Sequence, residues 1–545
     1  MRNKKWYKIT SIICLSLILL SVVVYLLQHA QMILALNGET EMTVPVYSTF
    51  EDPGAYNRFT KKVVLGEGEV DTSKLGEYKV EYKAFLQKLE RTVTVVDDQA
   101  PSVVLNTPGY IQIPVGTELS ADSAVALDNF DQNVTAVISQ GIPSGQAGTF
   151  EVIYSATDSS GNVGEVRQIV NVVNDDFHYE GEIHNNVSLA QSRVDKIVAY
   201  LNELYRSFVY LDPRDLSGFY SKDGAQYAYK MQKGLEYLIA TRNLSGNSMY
   251  LDGCSFDLTI DRTDYVNDGL CVRVYEDSTV KFHFLNGEES KQHNVLSKFY
   301  FDYNGDLTQV YREEGFYLAF DDEEKQFGDN YKDEIDKLYL DYLEAYVDQQ
   351  IALSSERSEY NSGNAQAATL HASNPYDRDA AAEYADAYAM FRNWRYPDYE
   401  SNCMNFVSQV IHAGGVPIDH TGEYQWKNYD LTEDHSDSDS GFTYEFIRIS
   451  YFNKYLENTS DPPKMVVERD LNLWLGEKGD IVYVGMEGNN YDDFGHVVTI
   501  VVPVYDEEGN LIDFLVDGNT NDQYHYPLSA SCYIYRKLAK VHGYN

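Results

Sequence analysis

The chain has 545 residues, 43% hydrophobic and 13% aromatic, which is enough apolar side chain for several cores and excludes a wholly disordered protein. Its 43 basic residues against 84 acidic ones leave a net charge of −41, which repels nucleic acid and anionic lipid alike, so neither is expected as a partner of its body. The five cysteines (Cys14, Cys254, Cys271, Cys403 and Cys532) form no CxxC pair and no cluster with histidine at zinc spacing. A disulfide framework and a structural zinc are thereby excluded, and no metal or cofactor is expected.

The first eight residues, MRNKKWYK, carry four basic groups, and nineteen uncharged residues follow from Ile9 to Leu27. Such a run crosses a hydrocarbon core about 30 Å thick as a helix. The basic flank keeps the N-terminus in the cytoplasm and sends the rest outside. No small-x-small cleavage site follows, so residues 1–32 read as an uncleaved single-pass anchor for extracellular domains.

Residues 33–175 have the texture of short strands between Gly, Pro, Asn and Asp clusters. A repeat of about seventy residues is visible. GEYKVEY (76–82) answers GTFEVIY (148–154), and TVTVV (92–96) answers IVNVV (169–173). Period-two alternation puts Tyr78, Val80 and Tyr82, or Phe150, Val152 and Tyr154, on one face, as a sandwich strand requires. With the DPGA turn at Asp52–Ala55 and TDSSGN at 157–162, the segments resemble bacterial immunoglobulin-like repeats of surface proteins, with bounds 33–98 and 99–175. They read as spacers, with glycan contact as the other reading. DNFDQN (128–133) reads as a polar turn, with calcium binding as its alternative.

Residues 176–350 change pattern. Ser188–Gln191 has the form of a capping box before a helix striped by Val194, Ile197, Leu201, Leu204 and Phe208. A second helix over 227–239 is followed by strands at 254–260, 270–275, 279–284 and 297–303, and a third helix covers 333–350. Helices followed by an antiparallel sheet predict an α+β cone, loosely similar to nuclear-transport-factor-like domains. Cys254 and Cys271 fall on neighbouring strands, as a pair or as separate thiols. The polar stretch within 351–373 reads as a linker.

The last segment, 374–545, carries the chemistry. Asp377 is placed to cap a helix bearing Ala381, Tyr384, Ala385 and Tyr388. In CMNFVSQVIHAGG (403–415), Phe406, Val407, Val410 and Ile411 share a face and Gly414-Gly415 is a stop, so Cys403 heads a helix. The positive end of a helix lowers a thiol pKa, which makes Cys403 the candidate nucleophile. The strand GDIVYV (479–484), a turn, and a strand opened by His496 in GHVVTIV (495–501) deliver a candidate base. Asn519 or Asp517, after the next strand, is the candidate to orient the imidazole. The acidic run 430–440 lacks the glycine and closing glutamate of a calcium loop and reads as solvated.

YDRDAAAEYA (376–385), CMNFVSQVIHAGG, GDIVYV before GHVVTIV, and GNTNDQYHYPLS (518–529) resemble the putative amidase domain family of papain-like cell-wall cysteine hydrolases. The resemblance implies Cys403 as nucleophile and His496 as base, with Asn519 where family members often carry histidine. The whole reads as a multidomain protein: a transmembrane helix, two immunoglobulin-like sandwiches, an α+β cone and an α+β papain-like hydrolase. Its expected substrate is peptidoglycan, cut at an amide of the stem peptide or at the muramoyl–alanine amide. A secreted peptidase acting on proteins, or a surface scaffold with a degenerate hydrolase fold, are the alternatives.

Overall fold

The computed structural model describes residues 2–29, 33–84, 87–174, 177, 181–266, 269–312, 327–428, 441–459, 462–488, 490–520 and 522–545. The acidic run at 430–440 lies outside them. The N-terminal run forms helix α1 (Arg2–His29), whose Trp6–Leu26 portion is long and apolar enough to cross a membrane. The chain divides into two compact units, residues 1–109 with 116–170, and residues 110–115 with 171–545.

The two repeats appear as hairpins: β1 (Gly76–Ala84) with β2 (Gln87–Val96), and β3 (Gly148–Thr157) with β4 (Val163–Val173). The predicted parity holds, for Val80, Tyr82, Val93 and Val95 are buried in one hairpin and Val152, Tyr154, Val170 and Val172 in the other. Each buried tyrosine hydroxyl meets a buried polar side chain, Arg91 for Tyr82 at 2.9 Å and Gln168 for Tyr154 at 3.1 Å. Arg91, fully buried, also bonds Asp52 of the DPGA turn and the Glu39 carbonyl. This answers the demand of a buried guanidinium for partners on every side.

The second unit is built on one long sheet. Helices α2 (Gln191–Tyr210) and α3 (Ala225–Leu244) precede the strands β5 (Leu251–Val266), β6 (Gly269–Phe282) and β7 (Ser290–Asp302). Helix α2 begins at Gln191 without a side-chain cap, and Ser188 sits at φ +55°, so the capping box is not formed. The Asn185 side chain instead bonds both the N–H and the C=O of Leu189. The segments 270–275 and 279–284, read as separate strands, lie mostly in the single strand β6. Cys254 lies opposite Val280 and Cys271 opposite Asp264, ten positions apart along β5, and no disulfide joins them. The stretch read as a linker is helical up to Asn361, at the end of α4 (Tyr331–Asn361). Its polar residues dock: the Leu353 carbonyl accepts from the Trp474 indole at 2.9 Å, and Glu356 accepts from the Leu473 amide at 3.0 Å.

After α4 come α5 (Arg378–Tyr388), capped by Asp377 as expected, and α6 (Cys403–Ala413). The strands β8 (Ile481–Gly485), β9 (His496–Tyr505), β10 (Leu511–Gly518), β11 (Asp522–Pro527) and β12 (Tyr535–Tyr544) follow. The sheet order is β5-β6-β7-β11-β10-β9-β8-β12. The segments expected as a separate cone and hydrolase thus share one sheet, joined where β7 pairs antiparallel with β11, Lys291 opposite Tyr524. One apolar cluster lies on the α5 and α6 side, with Phe406, Val407, Val497 and Leu515. A second lies on the other face, with Val484, Val498, Val516 and Trp474.

Candidate active site

Helix α6 starts at Cys403, where its first turn is held from outside. The backbone N–H groups of Asn402 and Cys403 both donate to the Thr520 hydroxyl, at 2.8 and 3.1 Å. Thr520 sits at φ +101°, a conformation that a β-branched residue adopts only when its surroundings impose it. A chain of buried asparagines continues the anchoring. Asn402 donates to Asn519 (3.1 Å), Asn405 donates to Asn402 (2.9 Å), and Asn428 donates to Asn405 (2.9 Å). Asn519 also donates to the Ala389 carbonyl at 2.9 Å, which ties the end of α5 to the start of α6.

The Cys403 thiol is 4% exposed. Burial pushes its pKa up, and this outweighs the opposing pull of the Val497 and Met404 amides and of Thr520. The expected lowering by the helix terminus is therefore overturned by desolvation. Beside the thiol lies an open groove that includes Tyr399, Ser401, Met404, Arg448, Asp492 and Gly495. Amides and a hydroxyl converging on a thiol at a groove are the parts of an oxyanion-binding site.

His496 opens β9, as predicted, but its ring lies on the other face of the sheet. Thr499 pairs with Asp517, which sets Val498 beside Gly518. A methyl group built on Gly518 would meet Val498 Cγ1 at 3.1 Å and His496 Nε2 at 3.8 Å, so these three share a face. Val497, whose amide faces the Cys403 thiol, belongs to the opposite one. His496 lines a cavity with Arg242, Val484, Val516 and Tyr533, and stacks on Tyr533 with ring centroids 6.1 Å apart. No hydrogen bond joins His496 to Cys403 or to Asn519 among the described residues. Burial lowers its pKa to about 4, leaving the imidazole neutral near pH 7. Tyr533 stands next to both settings, since Cys403 helps to hold its phenol protonated after burial and Cys532.

Asp517 faces the α5 side. Its carboxylate accepts the His525 amide at 2.7 Å, and burial, with Asp386 alongside, holds it well above the usual carboxylate range. The structure therefore groups Cys403 with Asn519 through Asn402, and places His496 and Asp517 apart from each other. Thr520 and Asn405 were not singled out in the sequence. Only their nearness to Cys403 and Asn519 could have drawn attention to them.

The low pKa of His496 has a consequence for stability. Above about pH 6.5 the imidazole is neutral in folded and unfolded chains. Between 6.5 and 4 only the unfolded chain takes up the proton, so stability falls with pH by about 3 kcal/mol in all. Urea unfolding at pH 7 and pH 4 should show this loss in the wild type, reduced by about that amount in His496→Gln.

The residues 375–544 match the family model described as Putative amidase domain, and residues 34–95 match that of the bacterial surface protein Ig-like domain. Over 150 residues the chain is 27% identical to the uncharacterized protein YhbB of Bacillus subtilis (strain 168). That stretch covers 27% of this chain and 42% of the relative, so less than half of the relative's length is spanned. The crystal structure of the lipoprotein BT2262 from Bacteroides thetaiotaomicron is 20% identical, over 23% of this chain and 60% of that one, with a TM-score of 0.12. The two domain matches describe a surface-associated protein with an amidase-type C-terminal segment.

Proposed function

We propose that the chain is a membrane-tethered extracellular cysteine hydrolase of papain-like type that cleaves amide bonds of peptidoglycan, in the stem peptide or at the muramoyl–alanine link. The observation that carries this reading is the Cys403 thiol at the N-terminus of α6, faced by the Val497 and Met404 amides and the Thr520 hydroxyl, beside a groove. In this reading Sγ attacks the amide carbonyl and the amides hold the oxyanion. The C–N bond then breaks, the thiol proton departs on the leaving amine, and water releases the acid and restores the thiol. His496 is neutral and able to carry that proton, but it serves only if the Gly495–His496 end of β9 turns its ring toward the thiol. Asn519 acts through Asn402 by fixing the helix start. Residues 1–32 act as the anchor, and the immunoglobulin-like repeats act as spacers between membrane and wall.

One observation favours a second reading. His496 packs on Tyr533 away from the thiol, as in a hydrolase fold retained as a surface scaffold. Incubation of the purified chain with peptidoglycan, and separately with an unfolded protein, followed by mass measurement of the fragments, separates the readings. Wall fragments with new amino termini or freed stem peptides are expected. Cleavage of the protein alone would indicate a general peptidase, and intact material in both would leave the scaffold.

A further inference from the structure

The first repeat hands the chain to the second at Asp97, immediately after β2. There the carboxylates of Asp97, Asp128 and Asp158 offer oxygens that all lie within 4.8 Å of one another. Asp128 opens DNFDQN and Asp158 belongs to TDSSGN, so three stretches far apart in sequence converge. Three carboxylates this close repel one another, and among the described residues none of them is in a salt bridge. Asp97 is 94% buried (6% exposed), and its Oδ2 accepts no hydrogen bond; Asp128 Oδ1 is likewise buried and unpartnered. A buried carboxylate oxygen without a donor is a costly arrangement that native proteins relieve with a proton, a water or a cation.

The remaining oxygens show why these two are left over. Asp128 Oδ2 accepts the amides of Phe130 and Asp131, both at 2.8 Å, which makes the polar turn expected from the sequence. The Asp158 carboxylate accepts the Asn162 amide at 2.8 Å, and Asn162 also donates to the Asp97 carbonyl at 3.1 Å. The loops are thus held in place by these bonds, Asn162 Nδ2 also donating to Asp158 Oδ2 at 2.7 Å, while Asp97 Oδ2 and Asp128 Oδ1 keep no donor.

We infer that Asp97, Asp128 and Asp158 form a binding site for a calcium ion that fixes the junction between the two immunoglobulin-like repeats. An all-oxygen, triply negative donor set suits a hard divalent cation and not zinc or copper. Calcium accepts the irregular geometry and takes its remaining ligands from water, whereas magnesium demands a tighter octahedron. Affinity in the range of extracellular modules, about 10⁻⁴–10⁻³ M, would keep the site loaded outside a cell and empty inside one.

The test uses the full chain in detergent micelles, titrated calorimetrically with CaCl2 and, separately, MgCl2 after chelation. One calcium-selective binding event is expected, together with a rise of several degrees in the thermal transition of the first unit. Asp97→Asn and Asp128→Asn should each weaken calcium binding at least tenfold. Without calcium both variants should melt no lower than the wild type, because each relieves repulsion. Absence of binding heat and of any calcium-dependent melting shift in the wild type would overturn the inference. So would full calcium response in the double variant.

Discussion

Cys403→Ala is expected to lower kcat/KM for amide hydrolysis by at least about 10⁴-fold, because loss of a nucleophile removes the covalent path altogether. The thermal midpoint should stay nearly unchanged, since the substitution removes one buried sulfur and leaves the Thr520 bonds to the backbone of Asn402 and Cys403 intact. Cys532→Ser supplies the contrast. Cys532 is equally buried but sits among core side chains, and its carbonyl accepts from Tyr237 at 3.1 Å. It should keep most activity while losing some stability. Similar losses of activity in the two variants would mean that Cys403 is a packing thiol. The raised thiol pKa adds a pH signature: in the free protein, alkylation of Cys403 should accelerate only above the ordinary thiol range. Acceleration at neutral pH on adding peptidoglycan would show that substrate brings a base to the sulfur.

The second large effect concerns stability. Asp480, in the GDIVYV motif, is fully buried. Its carboxylate accepts Arg378 Nη1 at 2.8 Å, the Val541 amide at 2.9 Å and the Glu477 amide at 2.9 Å, with Lys540 Nζ at 3.5 Å. It therefore ties α5 and β12 to the start of β8. Asp480→Ala leaves the Val541 and Glu477 amides without their acceptor and takes the buried anion from Arg378, and a broken buried pair costs about 3–5 kcal/mol. Urea unfolding of the second unit should report that loss. A change under about 1 kcal/mol would mean that water replaces the carboxylate.

The elements around Cys403 were legible because their signals are local. The apolar stripe Phe406–Ile411 and Gly414-Gly415 marked α6, Asp377 marked the start of α5, and strand parity marked both hairpins of the repeats. What failed depended on partners distant in the chain. Residues 354–361 looked like a linker because their polar side chains show no period, yet they are helical where Leu473 and Leu511 receive them. The two faces of β9 are equally apolar, Val497 on one and Val498 on the other. Nothing in the sequence therefore told which of them His496 shares, and a one-residue change of parity reverses the answer. The helix-terminus argument for a low thiol pKa failed because burial is a tertiary quantity that a helix signal does not contain.

The junction of β7 with β11 links positions about 230 residues apart in the chain. Synthesis runs from the N-terminus, so the hairpins β5–β6–β7 are complete before any residue of β11 exists. If folding follows the order of synthesis, the late strands dock on the open edge of β7. A chain cut to residues 374–545 would lack β7 and expose β11 as a bare edge, ready to pair with another copy. The middle segment is in this sense a built-in assembly partner for the amidase-type segment, and the two share one continuous sheet.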